Sequence, residues 1–136
     1  MSTVELLVYN ENKNTEKNKL WREINNLSLE NPPFACQTLR DLTERLINRK
    51  GQRTVCLLAL DSHEKLNEIL NLNGRDLFRD VRVIMIIPND DHEFLINAFS
   101  LHPRYLTFKD SDYSDISKVL IKTMELPMLF SESALH

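Results

Sequence analysis

Five short apolar runs, at residues 4–9 (VELLVY), 34–38 (FACQT), 54–60 (TVCLLAL), 82–87 (RVIMII) and 104–108 (RYLTF), alternate with five stretches of helical periodicity. Strands that alternate with helices pair in parallel, because each helix carries the chain back to the same edge of the sheet. The rhythm therefore predicts a three-layer α/β architecture. TVCLLAL and RVIMII are apolar almost throughout, as central strands covered on both faces must be. In open parallel sheets ligands sit outside the carboxyl ends of the strands, so chemistry is to be sought just after each run.

The 136 residues, 42% of them hydrophobic, suffice for one core. A net charge of −3 and the absence of any long basic run give no electrostatic footprint for nucleic acid or an anionic membrane. No apolar stretch approaches the roughly 20 residues of a membrane helix, and MSTVELLVYN lacks the regions of a signal peptide, so a cytoplasmic protein is expected. Cys36 and Cys56 stand alone in predicted strands, which favours buried thiols over a disulfide or zinc site. His63, His92, His102 and His136 fall in separate segments, so no metal is expected. Gly51 and Gly74 both lie outside the strand-to-helix turns, which leaves no backbone cradle for a nucleotide cofactor. No nucleophile elbow is readable, and no enzymatic constellation is expected.

The helical stripes are Leu20, Trp21, Ile24 and Leu27; Leu39, Leu42, Leu46 and Ile47; Leu66, Ile69 and Leu70; Phe94, Leu95, Ala98 and Phe99; and Ile116, Val119, Leu120 and Met124. The polar segment 10–18 reads as a loop, Pro32 and Pro33 as a break, and 71–80 as a loop or frayed helix end. Thr38 with Asp41 three residues on resembles an N-terminal cap. Asp61, Ser62 and Glu64 open a third helix, Asn89, Asp90 and Asp91 a fourth, and Ser114 a fifth. Residues 1–124 make the domain and 125–136 a tail containing Pro127, Met128 and Phe130.

The carboxyl half resembles the receiver domain of bacterial response regulators. AFSLHPRYLTFKDSDYSDISKVL, at 98–120, reads like the family's fourth helix, fifth strand and fifth helix, with FKDS placing the family's lysine at Lys109. VIMIIPNDD matches the fourth strand and its loop, and VCLLAL the third strand, so the likeness covers about residues 54–122. It implies a flavodoxin-like (βα)5 sandwich with a five-stranded parallel sheet in the order 2-1-3-4-5.

The same likeness implies a degraded phosphoacceptor pocket. Receivers take a phosphoryl group onto an aspartate ending strand three, beside a metal held by an acidic pair, with a hydroxyl ending strand four and the lysine after strand five. Here the acceptor position is Ala59, the hydroxyl position Ile87, and the acidic pair Asn10 and Glu11, or Tyr9 and Asn10 with a shift of one. Only Lys109 keeps its chemistry. Asp61 has two readings: a helix cap, or a surviving acceptor about 6–7 Å further along the same side of the strand at roughly 3.3 Å per residue.

The reading that follows is a pseudo-receiver of two-component signalling or a phosphorelay, without catalysis or cofactor, acting through a protein partner or as a homodimer. The resemblance implies contacts through helix four, strand five and helix five, with Glu93, Asn97, Ser100, Arg104, Tyr105, Lys118 and Lys122 as candidates. Each of these also fits an ordinary solvated face. The rivals are an atypical active receiver phosphorylated on Asp61, and a small-molecule sensor whose crevice is lined by Ala59, Ile87 and Pro88.

Overall fold

The computed structural model describes residues 4–25, 27, 32–49, 53–73, 77–88, 91–108 and 114–133, except 11–14; of 15–18, 73, 114 and 125–133 it describes the backbone alone. The strands are β1 (Val4–Asn10), β2 (Phe34–Cys36), β3 (Arg53–Ala59), β4 (Val81–Ile87) and β5 (Tyr105–Phe108). Between and after them run α1 (Thr15–Asn25), α2 (Leu39–Ile47), α3 (His63–Asn73), α4 (His92–Phe99) and α5 (Ser114–Ser133). All strand pairs are parallel, in the order β2-β1-β3-β4-β5. Sheet and order agree with the expected flavodoxin-like sandwich.

Side chains leave successive strand positions on opposite faces, so the sheet carries two cores. On one face Leu7, Tyr9, Cys56, Leu58, Val83, Met85 and Ile87 meet Leu42 and Leu46 of α2, Leu66 and Ile69 of α3, and Phe94 and Ala98 of α4. On the other, Leu6, Val8, Val55, Leu57, Ile84 and Ile86 meet Leu20 and Ile24 of α1 and Ile116 and Leu120 of α5. Burial on both faces explains why β3 and β4 read as continuous apolar runs.

The caps are local chemistry. Thr38 stands in extended conformation before α2, and its Oγ1 accepts the Asp41 amide at 3.0 Å while Asp41 Oδ2 accepts the Gln37 amide at 3.3 Å. Arg45, on the exposed side of α2, lies over the Phe34 ring at 4.3 Å and donates to Glu5 at 2.7 Å, tying the helix to β2 and β1.

Several boundaries differ from the sequence reading. β2 ends at Cys36 because Thr38 is taken by the cap; α1 begins at Thr15, inside the segment read as a loop. α3 runs through Asn73, three residues into the stretch read as a loop or frayed end, since Asn is tolerated where tertiary packing holds a helix. α5 stays helical past Pro127, into the residues read as a tail. A proline there removes one amide donor from the helix ladder. No helix among the described residues is long and apolar enough to cross a membrane.

Candidate functional site at the carboxyl edge of the sheet

The register assembles one row of residues at the carboxyl edge. Asn10 pairs with Ala59, Ala59 with Ile86, and Ile86 with Thr107. Partners in a parallel register point to the same face, here the side covered by α1 and α5, where Ala59 packs against the buried Ile86 and its neighbours. The Leu60 amide donates to the Ile86 carbonyl at 2.9 Å and carries the ladder one step further. Ile87 pairs with Phe108 in the next row and faces the other way, fully buried in the core under α3 and α4.

Of the six positions expected to form the pocket, Asn10 and Ala59 are therefore neighbours, and Ile87 turns to the opposite core. Asp61 lies past the end of β3, half-buried. Glu11 and Lys109 lie outside the described residues. The row's hydroxyl belongs to Thr107 on β5, which the sequence reading passed over because it sought a hydroxyl only at the end of strand four. Laying the strand ends side by side in the order 2-1-3-4-5 would have found it.

At the start of α3 the cap falls on the second of the residues expected to open it. It is Ser62 whose Oγ accepts the Lys65 amide at 3.2 Å, and the Ser62 carbonyl takes the Leu66 amide. Ser62 sits three residues before Lys65, which is the spacing a cap requires; Asp61 is one residue too early for that bond. At α4 the preceding residue, Asp91, makes no side-chain cap. Its Oδ2 lies 3.0 Å from His63 Nε2, joining the start of α4 to the start of α3, and the His63 ring leans on Phe94 with centroids 4.6 Å apart. Among the described residues, no three His, Cys, Asp or Glu side chains are grouped as a metal would need.

The partner candidates are spread over α4, β5 and α5. Glu93, Ser100, Arg104, Lys118 and Lys122 are exposed; Asn97 and Tyr105 are half-buried, Tyr105 against the core under α1 and α5. Phe99, expected to point inward, is 55% exposed, as is Ile96; Ile121 of α5 is 48% exposed. The reason is angular. At 3.6 residues per turn Phe99 sits roughly 140° around the helix from the buried Phe94, while Ala98 stays within about 40° of it.

Both thiols are buried, Cys56 in β3 and Cys36 in β2, and neither is bonded to another sulfur. Burial pushes the Cys36 thiol up to about 12, with the nearby Asp41 carboxylate adding to the rise and Arg45 opposing it. Burial raises Cys56 further still, and Cys36 beside it contributes.

No family model matches the sequence, and no curated protein matches it as a relative. Solved structures do. A response regulator receiver domain from Rhodospirillum rubrum superposes with a TM-score of 0.61 at 16% identity, covering 93% of each chain. A response regulator protein from Burkholderia pseudomallei, with a phosphorylated aspartic acid, a calcium ion and citrate, gives 0.59 at 14% identity over 96% of this chain and 73% of its own. With the five-stranded order and the two-sided helical cover already established, these likenesses identify the fold of this chain as that of response regulator receiver domains.

Proposed function

We propose that the chain is a non-catalytic, receiver-like signalling module that has lost its phosphoacceptor and works by associating with a second copy of itself through α4, β5 and α5. The observation that carries the reading is the exposed apolar pair Ile96 and Phe99 on α4; α5, on the other face of the sheet, exposes Ile121. A short helix that turns two large apolar side chains outward gains by covering them, and interface centres favour aromatics over Lys and Glu. Phe99 therefore outranks Arg104, Tyr105, Lys118 and Lys122 as an anchor. Wild-type protein is expected to sediment as a concentration-dependent dimer and Phe99→Asp as a monomer that melts at the temperature of wild type diluted to its own monomer. A wild type that stays monomeric at high concentration overturns the homodimer.

Loss of the acceptor rests on the row Asn10, Ala59, Ile86 and Thr107, which holds no carboxylate. The Burkholderia protein bears its phosphoryl group on an aspartic acid; an alanine methyl is no nucleophile. Incubation with acetyl phosphate and magnesium is expected to leave the intact mass unchanged, both for wild type and for Ala59→Asp. In the variant the new carboxylate sits against Ile86, which offers the phosphoryl oxygens no donor; Ile87 is turned away, and the row's hydroxyl, Thr107, stands two strands off, at roughly twice the 4.8 Å strand spacing. An aspartyl phosphate at Asp61, or robust labelling of Ala59→Asp, would refute this part of the reading.

A further inference from the structure

The opposite, amino-terminal edge of the sheet gathers positive charge in a chain whose net charge is −3. Arg82, the second residue of β4, pairs with Val55 of β3, and Arg53 lies two residues before Val55 on the same face. With strands about 4.8 Å apart and about 3.3 Å per residue, the two stems leave the sheet within about 8 Å of each other. Arg104 joins them from the residue before β5, where its amide donates to the carbonyl of Val83, next to Arg82, at 2.7 Å. Arg53 and Arg82 are half-buried and Arg104 is exposed.

None of these three arginines forms an ion pair among the described residues. The neighbouring acids are not engaged with them: Glu5 is held by Arg45, and Asp80, at the turn into β4, is exposed and bonds none of the three. Arg49, at the same end, is already committed to the carbonyls of Leu46, Leu77 and Arg79. Arg82 Nε is buried without a hydrogen-bond partner. Burial, then the positive fields of Arg104 and Arg53, hold the Arg82 guanidinium below its ordinary pKa. Like charges brought together by fixed strands, one of them with an orphaned donor, oppose folding unless something else compensates.

We propose that Arg53, Arg82 and Arg104 form a binding site for a compact phosphate anion of the pyrophosphate type, at the end of the sheet opposite Ala59. Guanidinium is suited to this ligand because its planar fork gives paired N–H bonds to phosphate oxygens, where an ammonium gives only a point charge. Several negative charges on one small group match three neighbouring cations better than carboxylates strung along a peptide. The recognition is by side chains, so it does not need the glycine-rich loop that the chain lacks. This inference uses none of Ile96, Phe99 and Ile121, on which the association reading rests; Arg104 is the one position that also stands among the association candidates.

The test is calorimetric titration of the full chain with inorganic pyrophosphate at low ionic strength, with a nucleoside diphosphate as a second ligand to distinguish a free anion from one carried on a nucleotide. Saturable one-to-one binding is expected, weakening as salt is added. Each of Arg82→Gln and Arg104→Gln should raise the dissociation constant at least about tenfold, because each removes charge-assisted hydrogen bonds. Arg40→Gln, an exposed arginine paired with Glu44 on α2, should leave it unchanged. Since Arg104 is exposed, Arg104→Gln should melt no lower than wild type, which separates lost binding from lost folding even where Arg82→Gln folds poorly. Equal or tighter binding of the nucleotide supports the same phosphate site with a different carrier. Absence of saturable pyrophosphate binding, or binding indifferent to Arg104→Gln, overturns the proposal.

Discussion

Truncating Phe94 to alanine is expected to lower the free energy of unfolding by about 3–5 kcal/mol. The ring is 1% exposed and fills the core between α4 and the sheet, with Ile87 beneath the same layer and the His63 ring tilted against it at 56°. Removing it forfeits the transfer energy of the ring and leaves a cavity that strands fixed on both sides cannot close. Such a loss is a large part of the roughly 5–15 kcal/mol that holds a typical domain together. Phe99→Ala, five residues on, should cost no more than about 0.5 kcal/mol in protein dilute enough to be monomeric, because more than half of that residue is exposed in the single chain. Urea titration reads both, as a fall in midpoint with little change in slope. Equal losses at the two positions would mean that α4 is rotated from the orientation described here. The contrast also bears on association, since Phe94 anchors the helix whose outer side presents Ile96 and Phe99.

Parallel pairing and layering were legible in the sequence because they follow from the alternation of two periods, and periods survive wide substitution; the strand order was legible only through the receiver resemblance. The near-continuous runs in β3 and β4 marked central strands correctly, because a strand covered on both faces has no polar positions to lose. The cap at Thr38 was legible for a similar reason, as three-residue spacing and a hydroxyl are all that bond requires. What failed depended on phase rather than period. Phe99 has the hydrophobicity of a core residue but sits off the stripe set by Phe94 and Ala98, and an eight-residue helix is too short for its pattern to fix the phase. Asp61 and Ser62 are both good caps, and only the backbone decides which is three residues before the amide to be satisfied.

The carboxyl-edge row was only half legible for a further reason. Matching strand ends along the chain identified Ala59 and Ile87 as corresponding positions, yet pairing across the sheet puts Ala59 beside Ile86 and sends Ile87 to the opposite face. A shift of one residue reverses every side chain, and composition does not report it. Thr107 and the arginines of the amino edge share this difficulty. Each is unremarkable within its own strand, and their grouping exists only across strands that the sequence separates by some 20 or more residues.

The second large effect is expected in alkali and comes from the two thiols. In the unfolded chain a thiol ionises near its ordinary value of about 9, whereas burial holds folded Cys36 at about 12 and folded Cys56 higher. Below pH 9 both states keep their protons, so the contribution to stability is full. Above it the unfolded chain sheds protons that the folded chain retains; the unfolded state binds fewer, and stability falls as pH rises until the folded thiols ionise in turn. The slope is about 1.4 kcal/mol per pH unit for each thiol. The unfolding free energy of the wild type, measured by urea titration between pH 9 and 11, should therefore fall steeply. Because Cys36 and Cys56 lie in the same core, the double variant Cys36→Ala, Cys56→Ala starts from a lower stability through lost packing. Its dependence on pH over that window should nonetheless be much shallower, since tyrosine and lysine ionisation is common to both proteins. Parallel slopes for the two would show that these thiols ionise as readily in the folded chain as in the unfolded one.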